Sequence, residues 1–130
     1  MLRILIADDH PVIMQALKKI IQEEFPGVFV EEAKDTTTLL EKVSGDTWNL
    51  VISDLSMPGG GGFFALEKIK SSKKKLPVII LSTYPAEQYA PRVLKAGAED
   101  FISKDSLPAG LVKAVRRIIG TEKKSEEESQ

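Results

Sequence analysis

Asp8, Asp9, Asp54, Ser82 and Lys104 share one trait, which is that each closes or follows a short apolar run: RILIA, NLVISDL, PVIILS and EDFISK. If those runs are parallel strands, residues at their ends gather along one edge of the sheet, where ligands bind in such folds. Three carboxylates would then face one another. Their repulsion is tolerable only with a cation among them or protons taken up. A hard divalent ion fits best, because carboxylate oxygens, a backbone carbonyl (expected from Ser56) and retained waters form the near-octahedral oxygen shell of Mg2+ or Mn2+. No histidine or cysteine cluster is present to attract zinc. Asp9 and Asp54 are the expected direct ligands, with Asp8 holding a metal-bound water. An aspartate carboxylate is also a nucleophile toward phosphorus, forming an acyl phosphate. Lys104 and the ion would offset charge on the phosphoryl oxygens, and the Ser82 hydroxyl and loop amides would donate hydrogen bonds to them. Ser56 and Tyr84, two residues beyond Asp54 and Ser82, would flank the path of an attacking water, with Tyr84 as a screen.

The elements that must position these groups alternate regularly. Residues 3 to 7 read as a strand buried on both faces, and Val12, Ile13, Ala16, Leu17, Ile20 and Ile21 recur at helical spacing from Pro11 to about Glu24. VFVEEA (28 to 33) predicts a second strand and TTLLEKVS (37 to 44) a second helix, with a threonine as its cap. The third strand ends at Asp54. After it, Gly59 to Gly62 predict a mobile connection and FFALEKIKS a helix. PVIILS (77 to 82) is the fourth strand, followed by a helix from Ala86 to Ala96 that Gly97 closes and that Pro91 should kink or shorten. EDFISK and LPAGLVKAVRRII complete a fifth pair. Five strand-helix pairs predict an α/β fold, a flavodoxin-like doubly wound five-stranded parallel sheet with five helices. The order 2-1-3-4-5 is expected, although the same beat suits other doubly wound sheets. Residues 1–120 form the domain, and 121–130 read as a disordered tail or truncated linker.

Composition narrows the classes. The 130 residues suit one domain, and 18 basic against 19 acidic side chains leave no field to draw the chain onto nucleic acid or an anionic membrane. There is no cysteine, which excludes disulfides and thiolate chemistry. No apolar stretch approaches the roughly 20 residues of a membrane span, so a cytoplasmic location is expected.

ADDHP, VISDLSMPG, LS before a helix, and FISKD together resemble the sequence blocks of response-regulator receiver domains, over residues 2 to about 119. They look most like receivers attached to helix-turn-helix DNA-binding domains of the nitrate-response and capsule-regulator kind. The resemblance implies that a histidine kinase or small phosphodonor phosphorylates Asp54, that Asp8 and Asp9 bind Mg2+, that Lys104 contacts the phosphoryl group, and that Ser82 is the switch hydroxyl. It implies a signalling domain rather than an enzyme, beyond its own phosphotransfer and dephosphorylation. Transcription control would act through an output domain outside this chain, with no direct DNA contact here and homodimerisation on phosphorylation. Phe101 stands where many receivers have tyrosine; it can swing behind Ser82 but offers no phenolic hydroxyl.

Plainer readings compete with each feature. His10, the single histidine, precedes Pro11 in a loop with no orienting partner that the sequence identifies, so catalysis there is not expected. KSSKKK (70 to 75) reads as a solvated helix end complementing the macrodipole. Gly59 to Gly62 lack the spacing of a phosphate loop. A phosphorylation-independent pseudo-receiver is the first rival, opposed by the intact Asp8, Asp9, Asp54, Ser82 and Lys104 set. An aspartyl-phosphate phosphatase would want an acid at Ser56, and a flavin carrier would want a first loop that does not repel phosphate.

Overall fold

Runs that are apolar on both faces need cover on both faces, and the sheet supplies it. The computed structural model describes residues 1–128. Five strands, β1 (Arg3–Ala7), β2 (Phe29–Ala33), β3 (Leu50–Asp54), β4 (Val78–Ser82) and β5 (Asp100–Ser103), form one parallel sheet in the order β2-β1-β3-β4-β5. Between and after them lie α1 (Pro11–Glu24), α2 (Thr36–Gly45), α3 (Gly61–Ser72), α4 (Ala86–Lys95) and α5 (Ala109–Glu128), with a short 3-10 turn at Lys104–Ser106. The flavodoxin-like order expected from the sequence is the one observed.

Strand side chains alternate between two cores. Ile4, Ile6, Ile52 and Ile79 meet Met14, Leu17 and Ile21 of α1 and Leu111 and Val115 of α5. Leu5, Val51, Val78 and Ile80 meet Leu39 of α2, Leu66 and Ile69 of α3 and Val93 of α4. Each fully buried aliphatic side chain contributes about 1.5–3 kcal/mol, so the central strands are firmly anchored. The fourth helix is less so, because Val93 is its single buried residue.

Several local expectations need correction. Asp35, not a threonine, caps α2: its carboxylate accepts the Thr38 N–H at 2.7 Å. That bond holds the Asp35 carboxyl below its ordinary value. Thr36 is buried, and its hydroxyl accepts the Gly61 N–H at 3.0 Å. The glycine run is therefore a fastened segment rather than a mobile connection. Its last two glycines open α3; the Thr36 N–H bonds Pro58 O at 3.0 Å and the Gly62 N–H bonds Leu55 O at 2.8 Å. Any Cβ on Gly62 would collide with the Asp54 carbonyl, so only glycine lets α3 begin this close to the end of β3. Helix α4 runs through Pro91, whose ring lies on the exposed side. Ala96 is its C-cap, and Gly97, with a φ of 114°, closes the helix in the left-handed conformation as expected. Lys104 opens the 3-10 turn instead of ending β5. The backbone of α5 is described to Glu128. Residues 129 and 130 lie outside the described part. Among the described residues no helix is long and apolar enough to cross a membrane.

Candidate functional site

β1 and β3 are neighbours in register, with Ala7 opposite Ser53, so Asp8 and Asp54 emerge side by side. Asp8 is fixed from the other side as well, its N–H bonding Ala33 O at 3.0 Å. Lys104 arrives from the turn after β5. Its Nζ lies 3.0 Å from Asp8 Oδ2 and 3.3 Å from Asp54 Oδ2. The three side chains are 0%, 5% and 8% exposed for Asp8, Asp54 and Lys104, whereas Asp9 is 32% exposed at the mouth.

One ammonium cannot balance three carboxylates. Asp8 Oδ2 and Asp54 Oδ2 accept no hydrogen bond of good geometry, although the Lys104 ammonium lies at ion-pair distance from both. Buried polar atoms are normally satisfied, so the two oxygens mark a place for a ligand. Burial pushes the Asp54 carboxyl above its ordinary value; Lys104 pulls it down, Asp8 raises it further, and the Ser56 N–H, 3.3 Å from Asp54 Oδ1, lowers it. The charged form is thus short of compensation, and a divalent cation would supply it. The oxygen-rich donor set of Asp8, Asp9 and Asp54 fits such an ion, and these residues fall in one group of candidate ligands.

The remaining sequence-selected residues surround this centre. Ser82 is buried at the end of β4, and its Oγ accepts the Tyr84 N–H at 2.8 Å; no bond from it to Asp54 occurs among the described contacts. Phe101 lies opposite Ile80 in the β4–β5 register, partly buried on the same face as α4. Tyr84 is 46% exposed, its ring 5.2 Å from that of Tyr89. Tyr84 and Ser56 line a single cavity of about 270 Å3 beside the end of β3. Ser56 presents its N–H to Asp54.

One residue set aside at the sequence level sits inside the cluster. His10 Nδ1 is 3.0 Å from Asp8 Oδ1 and 3.2 Å from Asp9 Oδ1. The orienting partner is Asp8, two residues earlier, which also accepts the His10 N–H at 2.9 Å. A short carboxylate two residues before a histidine is a recurrent local turn, and it is the signal that could have exposed this. Gly62 and Thr36, which hold the loop behind Asp54, carried no comparable mark.

Comparison with known proteins bears on the fold and the family. The chain matches the response regulator receiver domain model over residues 4–116. It is 35% identical over 118 residues to the oxygen regulatory protein NreC of Staphylococcus epidermidis, covering 90% of this chain and 54% of that one. Against the glycerol metabolism activator of Pseudomonas putida it is 33% identical over 120 residues, again with 54% of the relative covered. The chain therefore spans about half the length of the curated relatives it matches. Among solved structures, the response regulator TrrA of Thermotoga maritima in complex with Mg2+-BeF superposes with a TM-score of 0.82 at 30% identity, covering 91% of this chain and 99% of that one. Parallel sheet order, an acidic centre with its lysine, and a family match across most of the sequence lead to one assignment: the chain belongs to the response regulator receiver domain family.

Proposed function

We propose that Asp54 is the phosphoacceptor of a two-component relay. The observation that carries this reading is the pair of buried, hydrogen-bond-deficient oxygens on Asp8 and Asp54 facing the single Lys104 ammonium. An Asp54 carboxylate oxygen attacks phosphorus, and the bond from phosphorus to the imidazole nitrogen of a kinase phosphohistidine breaks, with its electron pair leaving on that nitrogen. Lys104 neutralises charge on the phosphoryl oxygens, and the Ser56 N–H and, after reorientation, the Ser82 hydroxyl donate to them. Mg2+, or Mn2+, would be held by Asp9, Asp54 and the Ser56 carbonyl with Asp8 on a bound water, and would offset the charge that gathers as the phosphoryl group transfers.

Output through a transcription-controlling domain beyond this chain is supported by what the relatives are called, among them a metabolism activator. The RcsB structure of Salmonella enterica, bound to the rprA promoter with phosphomimetic BeF3-, covers 91% of this chain at 30% identity. The readout within the domain is homodimerisation. Drawing Ser82 toward a phosphoryl group vacates space that Phe101, on the neighbouring strand, fills, and this reshapes a face whose α4 is anchored only by Val93. Sedimentation with beryllofluoride should shift the chain toward dimer, and Ser82→Ala should weaken the shift; identical distributions at every concentration contradict it.

The direct test is incubation with acetyl phosphate and Mg2+ followed by intact mass. One phosphoryl adduct is expected on the wild type and none on Asp54→Ala. Labelling of Asp54→Ala at the wild-type rate overturns the assignment. A pseudo-receiver would show no adduct on either.

A further inference from the structure

His10 is the one nitrogen donor in a centre otherwise made of oxygen. Its Nδ1 stands 3.0 Å from Asp8 Oδ1, 3.2 Å from Asp9 Oδ1 and 3.9 Å from Asp54 Oδ2. Ligand atoms of Asp8, Asp9, His10 and Asp54 all lie within 4.8 Å of one another. Two donors each about 2.1 Å from one ion are about 3.0 Å apart at a right angle and about 4.2 Å apart when opposite, so the spacings of His10 Nδ1 from Asp9 Oδ1 and Asp54 Oδ2 are those of donors around one centre. A second observation points the same way. Asp54, its side chain 5% exposed, presents to this centre its Oδ2, which stands 3.9 Å from His10 Nδ1 and accepts no hydrogen bond.

We infer that His10 Nδ1 is a ligand which opens this site to late first-row divalent ions, such as Co2+, Ni2+ and Zn2+, in competition with Mg2+. The inference rests on the reading of the aspartate cluster as the Mg2+ site. Mg2+ takes oxygen donors and keeps its waters, so an imidazole adds little to its binding. Late first-row ions gain strongly from an imidazole nitrogen, and a site offering one nitrogen with two or three carboxylates selects for them. The neutral ring ligates through the Nδ1 lone pair and keeps its proton on Nε2. Asp8 Oδ1, accepting the His10 backbone N–H at 2.9 Å, holds the turn that aims the ring. A hydrogen bond from Nδ1–H to Asp8 would produce similar distances, and metal titration separates the two.

His10 makes no side-chain cap bond at the start of α1, and its side chain is 62% exposed, so its removal leaves the fold intact. The test titrates the full chain with Co2+ and with Mg2+ by calorimetry, recording the Co2+ d–d absorption, for wild type, His10→Ala and Asp9→Ala. One Co2+ per chain is expected, displaced by excess Mg2+. His10→Ala should lower the ratio of Co2+ to Mg2+ affinity by about tenfold or more and change the absorption band. Asp9→Ala should weaken both ions. An unchanged ratio and spectrum in His10→Ala overturns the role of His10 while leaving the Mg2+ site standing; a wild-type chain that binds no Mg2+ overturns both.

Discussion

Lys70 and Lys104 lie at opposite ends of the sheet with side chains 11% and 8% exposed, and they are held in opposite ways. Near the strand beginnings, the Lys70 ammonium donates to Leu76 O at 2.7 Å, to Glu99 Oε1 at 2.8 Å and to Lys74 O at 3.3 Å. Glu99 uses its other oxygen on the Val78 N–H at 2.6 Å. Arg3, at the same end, donates to Asp46 at 2.6 Å and to Thr47 O at 2.9 Å. Near the strand ends, Lys104 faces two carboxylates whose nearer oxygens accept no hydrogen bond. A nearly buried charge whose bonds are closed by the chain itself is structural; one left short of partners waits for a ligand.

The sharpest way to break this contrast is to remove one group from each end. Lys104→Ala strips the ammonium from two buried carboxylates and should cost up to about 3–5 kcal/mol in urea denaturation with chelator present. Added Mg2+ should recover much of that loss. Glu99→Ala leaves the Val78 N–H without its acceptor and Lys70 with carbonyls alone, costing about 1–3 kcal/mol, with no recovery by Mg2+ and no change in phosphoryl labelling. Equal rescue of both variants, or of neither, would erase the distinction between the two ends.

A subtler expectation follows from the raised Asp54 carboxyl. Because its folded value lies above its unfolded one, Asp54's favourable contribution is full below the unfolded value near 3.8 and is lost as pH rises through the folded value. In chelator, Asp54→Asn should therefore melt higher than wild type at neutral pH, and the gain should shrink toward pH 3.8. Thermal melts across pH check this, and a gain that grows on acidification would contradict it. The smallest effect concerns signal lifetime. Tyr84 and Ser56 line the cavity beside Asp54, so Tyr84→Ala should open a path for water and speed phosphate loss about two- to tenfold, on the order of 1 kcal/mol of barrier. An unchanged or longer half-life removes the basis for that role.

Much of the site was legible because strand ends are legible. Continuous apolar runs that stop at Asp8, Asp54, Ser82 and near Lys104 give the edge on which parallel strands gather their last residues. Strand order was not contained in that beat, which suits other doubly wound sheets; the flavodoxin-like precedent supplied it. What stayed hidden depended on the directions of side chains in turns. His10 joins the cluster because its own N–H bonds Asp8 and swings the ring inward, a geometry that periodicity cannot express. Gly62 looked like slack in a run of four glycines until the Asp54 carbonyl was seen where its Cβ would be. The cap of α2 was misread for a related reason: Asp35 and Thr36 are both competent caps, and Thr36 is instead engaged with the loop behind Asp54.

Chemical trapping of the acyl phosphate tests the central claim most directly. After incubation with acetyl phosphate and Mg2+, borohydride reduces an aspartyl phosphate to homoserine, and peptide sequencing by mass spectrometry locates the change. The account predicts homoserine at position 54 alone, dependent on Mg2+. Homoserine at Asp8 or Asp9, or a phosphoryl group found on His10 or Ser82 with Asp54 unmodified, would contradict it.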